Sequence, residues 1–110
     1  MYKRQGVKVF SDFDDALPGV DVVIMLRLQL ERQGRSLFPS IREYAKLYGL
    51  TPERVQRANK DVLIMHPGPI NRGVEISHEV ADSCQAAILD QVSNGVAVRM
   101  GLMYLLSQLN

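Results

Sequence analysis

Arg27, Gln29 and Glu31 occupy alternate positions in Arg27-Leu28-Gln29-Leu30-Glu31-Arg32, directly after the apolar run Val20 to Leu26. Side chains alternate along an extended backbone, so Arg27 and Gln29 point the same way if that geometry continues past the run. A guanidinium so placed can grip a carboxylate through two parallel hydrogen bonds, which a lysine cannot do. The same residues also fit a solvated loop on which Arg27 and Glu31 form a surface ion pair. A second stretch, His66-Pro67-Gly68-Pro69, follows the apolar run Val62 to Met65. Each proline fixes its own φ and lacks an N–H, while Gly68 lets a ligand come close to main-chain atoms. A strand ending in this turn presents carbonyl oxygens, with His66 beside them, at the edge of a sheet. Taken alone, the segment also reads as an ordinary tight loop. His66 reads as a residue that stabilises the turn and His78 as a surface residue, while Arg72 and Arg99 read as structural.

The elements that must position these segments follow from the apolar pattern. Val7 to Phe10 is a short β-type run, and Ser11 or Asp12 can cap a short helix, Asp12 to Leu17, that Pro18-Gly19 ends. Val20 to Leu26 is almost continuously apolar, as expected of a central parallel strand buried on both faces. Residues 27–38 read as a long polar loop. Ile41, Tyr44, Ala45 and Tyr48 have helical spacing, with Gly49 suited to the position after the helix. Thr51-Pro52-Glu53-Arg54 opens another helix, running to about Ala58, with threonine as cap and proline in the first turn. Val62 to Met65 is a third strand, and a turn of helix fits His78 to Asp82. The remainder is one helix, about Gln85 to Leu109. Its rows Val92, Val96, Met100, Met103 and Val98, Leu102, Leu105, Leu109 make it apolar around most of its circumference, so it must be covered on most sides. The class is α/β: a partial doubly wound parallel sheet of about three strands, flanking helices and a long C-terminal helix.

Composition narrows the function. Of the 110 residues 46% are hydrophobic and 23% charged, with a net charge of +1, which gives no electrostatic case for nucleic acid or a membrane surface. One cysteine, Cys84, cannot build a disulfide framework and reads as a buried or half-buried thiol in a reducing cytoplasm. The N-terminus has no signal-peptide apolar region, and no apolar stretch approaches the roughly 20 residues of a membrane span.

Strand-RLQLER, strand-MHPGPINRGVEI and LDQVSNGVAVRMGLMYLL, in that order and spacing, resemble the C-terminal part of the aspartate carbamoyltransferase catalytic chain. The resemblance covers nearly all of this chain and about the last third of the family's usual length. The sister family that uses ornithine has a cysteine and leucine in place of Pro67-Gly68, so the pattern here favours aspartate. The resemblance implies transfer of a carbamoyl group from carbamoyl phosphate to the amine of L-aspartate, without a metal or other cofactor. It implies that Arg27 binds an aspartate carboxylate with help from Gln29, and that Glu31 orients Arg27. The carbonyls of Pro67 and Gly68 would accept hydrogen bonds from the carbamoyl NH₂ and the attacking amine, with Gly68–Pro69 a cis peptide that aims them.

The family's Ser-Thr-Arg-Thr phosphate-binding segment does not occur in the chain, nor do the carbonyl-polarising histidine and the serine and lysine donated by a neighbouring subunit. No catalytic residue is therefore assigned, and the chain alone is expected to be inactive. Residues 1–82 would form the later portion of an aspartate-binding domain. Residues 83–110 would be the helix returning to the carbamoyl-phosphate domain, in a cytoplasmic trimer of catalytic chains. Met1 aligns inside a helical segment of the family, which favours a truncated chain. The alternative is a non-catalytic module derived from the enzyme that binds dihydroorotase or a catalytic chain.

Overall fold

The computed structural model describes residues 6–29 and 40–109. Its elements, in order, are α1 (Phe13–Ala16), β1 (Val22–Ile24), α2 (Ile41–Tyr48), α3 (Pro52–Val55), β2 (Leu63–Met65), α4 (His78–Ala81) and α5 (Ile88–Ser107). Four helices begin where a short polar side chain can accept an otherwise unsatisfied N–H. Asp12 accepts from Asp14 N at 2.8 Å, Ser40 from Glu43 N at 3.1 Å, Thr51 from Arg54 N at 3.4 Å and Ser77 from Val80 N at 3.3 Å. Gly49 ends α2 with φ −68°, so the left-handed conformation is not what requires glycine there. A Cβ on Gly49 would meet the carbonyl oxygens of Ala45 and Val74 at 2.5 and 2.8 Å, and that close approach is the constraint.

The two strands pair in parallel, Val22 with Leu63, Val23 with Ile64 and Ile24 with Met65. Residues 7–10 form no strand. The strip beyond β2 is supplied instead from later in the chain. Ile64 N donates to Gln85 O and Ala87 N to Ile64 O, both at 2.9 Å, with a parallel bridge from Ile64 to Ala86. This strip feeds directly into α5, whose cap residue Ala87 makes no side-chain cap bond.

The core gathers Leu17, Val23, Met25, Leu50, Val62, Ile64, Ile76, Val80 and Ile88. The sequence pattern suggested that β1 is buried on both faces. In the structure Val23 and Met25 are buried, whereas Val22, Ile24 and Leu63 are exposed. The apolar run therefore has one face on the core and one open. α5 shows the same imbalance more strongly. Ile88 is buried, while Val92, Val96, Met100, Leu102, Met103, Leu105 and Leu109 are all exposed, Met103 by 73%.

One side chain ties the helical side together. Arg54 donates from Nε to Asp14 Oδ1 at 2.9 Å, and its terminal nitrogens donate to the carbonyls of Gly49 and Leu47 at 2.7 and 2.9 Å. Its guanidinium also lies 5.4 Å from the Phe13 ring centroid, a cation–π distance. α1, the end of α2 and the start of α3 thus share one fork of donors. Cys84 is exposed, not buried as its type suggested. It lies between α4 and α5 in the turn that brings Gln85 to β2.

Candidate functional site

Parallel strands send their following segments out of the same end of a sheet, and in open α/β sheets ligands bind beyond that end. β1 continues into Met25–Gln29 and β2 into His66–Pro69, so the two segments with chemical potential emerge side by side. Two hydrogen bonds tie the first segment to residues that flank the turn. Met25 N donates to Met65 O at 2.9 Å, and farther out the Asn71 side-chain amide donates to Leu28 O at 3.1 Å. Leu28 lies between Arg27 and Gln29, so the second bond holds the middle of that segment. Arg27 is half-buried and Gln29 exposed. Glu31 lies outside the described residues.

The turn is built around His66, which is fully buried. Its Nδ1 accepts the N–H of Gly68 at 2.9 Å, and its own N–H donates to Gln91 Oε1 on α5 at 2.8 Å. Because Nδ1 accepts, the ring proton belongs on Nε2. That nitrogen faces the carboxylate of Glu75, with Oε1 3.3 Å away and the side chain fully buried. Glu75 Oε1 also accepts the N–H of Asn71 at 2.6 Å. Burial pushes the His66 pKa below its ordinary value and the Glu75 carboxylate only partly opposes this. Tyr44 sits in the same field. Its phenol is held above the usual range, first by burial and then by the charge of Glu75.

Gly68 has φ +66°, a left-handed value that glycine adopts without the Cβ penalty. The Gly68–Pro69 peptide is cis, the isomer the family resemblance implied. Pro67, Gly68, Pro69, Ile70, Ile88 and Val92 line one open cleft between the turn and the start of α5. Arg72, also at this cleft, donates to both carboxylate oxygens of Asp82 at 2.7 Å, which fits the structural role read for it. His78 and Arg99 are exposed.

The sequence pattern singled out Arg27, Gln29, Pro67, Gly68 and Pro69 as candidates and gave His66 its turn-stabilising part. It missed Glu75, Asn71 and Gln91. An apolar-flanked glutamate after Gly73-Val74 is a weak sign of a buried acceptor. Nothing local in the sequence links Asn71 to Leu28 or Gln91 to His66.

A family model described as aspartate/ornithine carbamoyltransferase, Asp/Orn binding domain, matches residues 2–106. The chain belongs to the aspartate/ornithine carbamoyltransferase family. The aspartate carbamoyltransferase catalytic subunit of Syntrophotalea carbinolica is 61% identical over 105 residues, which cover 96% of this chain and 34% of that relative. Among solved carbamoyltransferases, the ornithine enzyme of Burkholderia thailandensis E264 matches with a TM-score of 0.71 at 29% identity, over 87% of this chain and 29% of that one. Aspartate transcarbamoylase of Trypanosoma cruzi, solved with carbamoyl phosphate, matches with a TM-score of 0.66 at 28% identity, over 83% and 28%. The chain spans about a third of the length of the curated relatives it matches. The family inferred from the RLQLER, HPGP and terminal-helix motifs is thus the family found, with an α/β fold. Among the described residues no helix is long and apolar enough to cross a membrane.

Proposed function

We propose that this chain is the amino-acid-binding part of an aspartate carbamoyltransferase catalytic chain, serving pyrimidine biosynthesis in the cytoplasm. The enzyme would transfer a carbamoyl group from carbamoyl phosphate to L-aspartate, giving N-carbamoyl-L-aspartate and phosphate. The observation that carries this reading is the joining of the Arg27–Gln29 segment to the His66–Pro69 turn at one end of a parallel sheet, in a chain of this family. Arg27 would hold a carboxylate of aspartate through paired charge-assisted hydrogen bonds. Gln29 would assist, and Glu31 would orient Arg27. The carbonyls of Pro67 and Gly68, aimed by Pro69, would accept from the carbamoyl NH₂ and the amine. The amine nitrogen then attacks the carbamoyl carbon, the bond from that carbon to the phosphate oxygen breaks, and phosphate leaves with the electron pair as the amine loses a proton.

Binding the leaving phosphate and the developing oxyanion supplies much of the rate in such a transfer. The family's residues for that work do not occur in these 110 residues. Residues 1–82 would form part of the aspartate-binding domain and residues 83–110 the helix that packs on the carbamoyl-phosphate domain, within a trimer of catalytic chains. The exposed apolar length of α5 also supports a second reading, a non-catalytic module docking on a catalytic chain or on dihydroorotase.

A graft separates these readings. The matched third of the Syntrophotalea carbinolica subunit is replaced by this chain, and phosphate release is followed with both substrates. The graft should show aspartate-dependent turnover and the 110-residue chain alone only background. An assembled but inactive graft would leave the module reading.

A further inference from the structure

Asn71 makes two hydrogen bonds to separate parts of the chain. Its main-chain N–H donates to Glu75 Oε1 at 2.6 Å, and its side-chain amide donates to Leu28 O at 3.1 Å. Glu75 is fixed in turn: it is fully buried, and its Oε1 also faces Nε2 of His66 at 3.3 Å. His66 anchors the turn through Gly68 N and is held to α5 through Gln91. One carboxylate oxygen therefore seats the residue that reaches across to the other segment and faces the histidine that anchors the turn. Met25 still donates its N–H to Met65 O, and beyond it, among the described residues, the chain has left the sheet. A donor that holds the carbonyl of Leu28, at the middle of such a stretch, has leverage on its neighbours on either side, Arg27 and Gln29.

We propose that Asn71, seated by Glu75, is the positioning residue that sets the Arg27–Gln29 segment against the His-Pro-Gly-Pro turn and thereby fixes the affinity for the amino-acid substrate. This rests on the reading of the chain as the amino-acid-binding part of the enzyme. Asn71 itself touches no reacting atom. Its effect should fall on the amino acid and leave carbamoyl phosphate alone, because His66 and Gln91 hold the turn independently of the Asn71 side chain.

The test compares Asn71→Ala and Asn71→Asp in the Syntrophotalea carbinolica graft. Aspartate matches asparagine in size but replaces the donor by an acceptor facing the Leu28 carbonyl, so a space-filling role would leave Asn71→Asp like wild type. A lost neutral hydrogen bond corresponds to roughly five-fold. Asn71→Ala should raise the aspartate KM by about that factor, Asn71→Asp by more, with kcat and the carbamoyl phosphate KM within two-fold, a margin of about 0.4 kcal/mol. Equal KM values in all three proteins, or a fall confined to kcat, would overturn the proposal. If the unsubstituted graft assembles but makes no product, the functional reading fails. The inference is then decided on the 110-residue chain by amide NMR. Asn71→Asp must shift the Arg27, Leu28 and Gln29 amides while leaving Gly68 in place; shifts restricted to residues next to Asn71 would overturn it.

Discussion

The main-chain N–H of Gly68 donates to Nδ1 of His66 at 2.9 Å, so the first residue of the turn fastens its third from within the core. The ring that does this is neutral, carries its proton on Nε2 and faces Glu75. The histidine of the His-Pro-Gly-Pro sequence is therefore framework, and what it holds in place is the backbone of the turn.

This arrangement has a pH signature. Burial lowers the pKa of His66 in the folded chain below the ordinary value of 6.5, despite the pull of Glu75. Below about pH 6.5 the unfolded chain takes up a proton that the folded chain refuses, so stability is complete above that pH and falls beneath it. The urea midpoint should drop between pH 7.5 and 5.5, and the drop should shrink in His66→Asn. An unchanged pH slope in that variant would show that His66 titrates alike in both states.

Arg27→Ala in the graft should weaken the use of aspartate far more than the binding of carbamoyl phosphate. Loss of a bidentate charge-assisted contact costs on the order of 2–4 kcal/mol of transition-state binding. Steady-state kinetics in each substrate measure this. A KM for aspartate and a kcat both near wild type would make Arg27 a loop ion pair.

Arg54 is the point where α1, α2 and α3 meet, and only a planar fork reaches all its partners. Arg54→Lys should lower stability by about 1–3 kcal/mol, read as a fall in Tm. The hydrogen bond from Arg54 also holds the Asp14 carboxyl below its usual range. That contribution is present above the ordinary carboxylate pKa and disappears as pH falls through the lowered one. Asp14→Asn should remove the corresponding part of the acid-induced loss.

The exposed rows of α5 form an apolar surface longer than a monomer usually leaves open. The 110-residue chain should self-associate, and Glu replacements at Met100 and Met103 should reduce the sedimentation coefficient without loss of helix by circular dichroism. A folded monomer at high concentration, helix intact, would contradict this.

Much of this was legible in the sequence because the signals were local. Thr51 and Asp12 announce helix starts, and the runs ending at Leu26 and Met65 announce parallel strands whose ends bear the two candidate segments. The failures share a cause. Val7 to Phe10 has β-type composition but forms no strand, while the place beside β2 goes to residues 85–87, whose sequence Gln85-Ala86-Ala87 carries no strand signal. Cys84 was misplaced for the same reason, since pairing of its neighbours turns it outward. The links from Asn71 to Leu28 and from Gln91 to His66 join residues distant in the chain, and no periodicity encodes them.

If this chain is the amino-acid-binding part of the enzyme, it selects aspartate as carbamoyl acceptor, and the identity of the product decides this. The Syntrophotalea carbinolica graft is given carbamoyl phosphate with equal aspartate and ornithine, and the products are separated and quantified. N-carbamoyl-L-aspartate should be the dominant product and should be lost in Arg27→Ala. Citrulline as the main product, or carbamoyl aspartate formed equally well without Arg27, would contradict it.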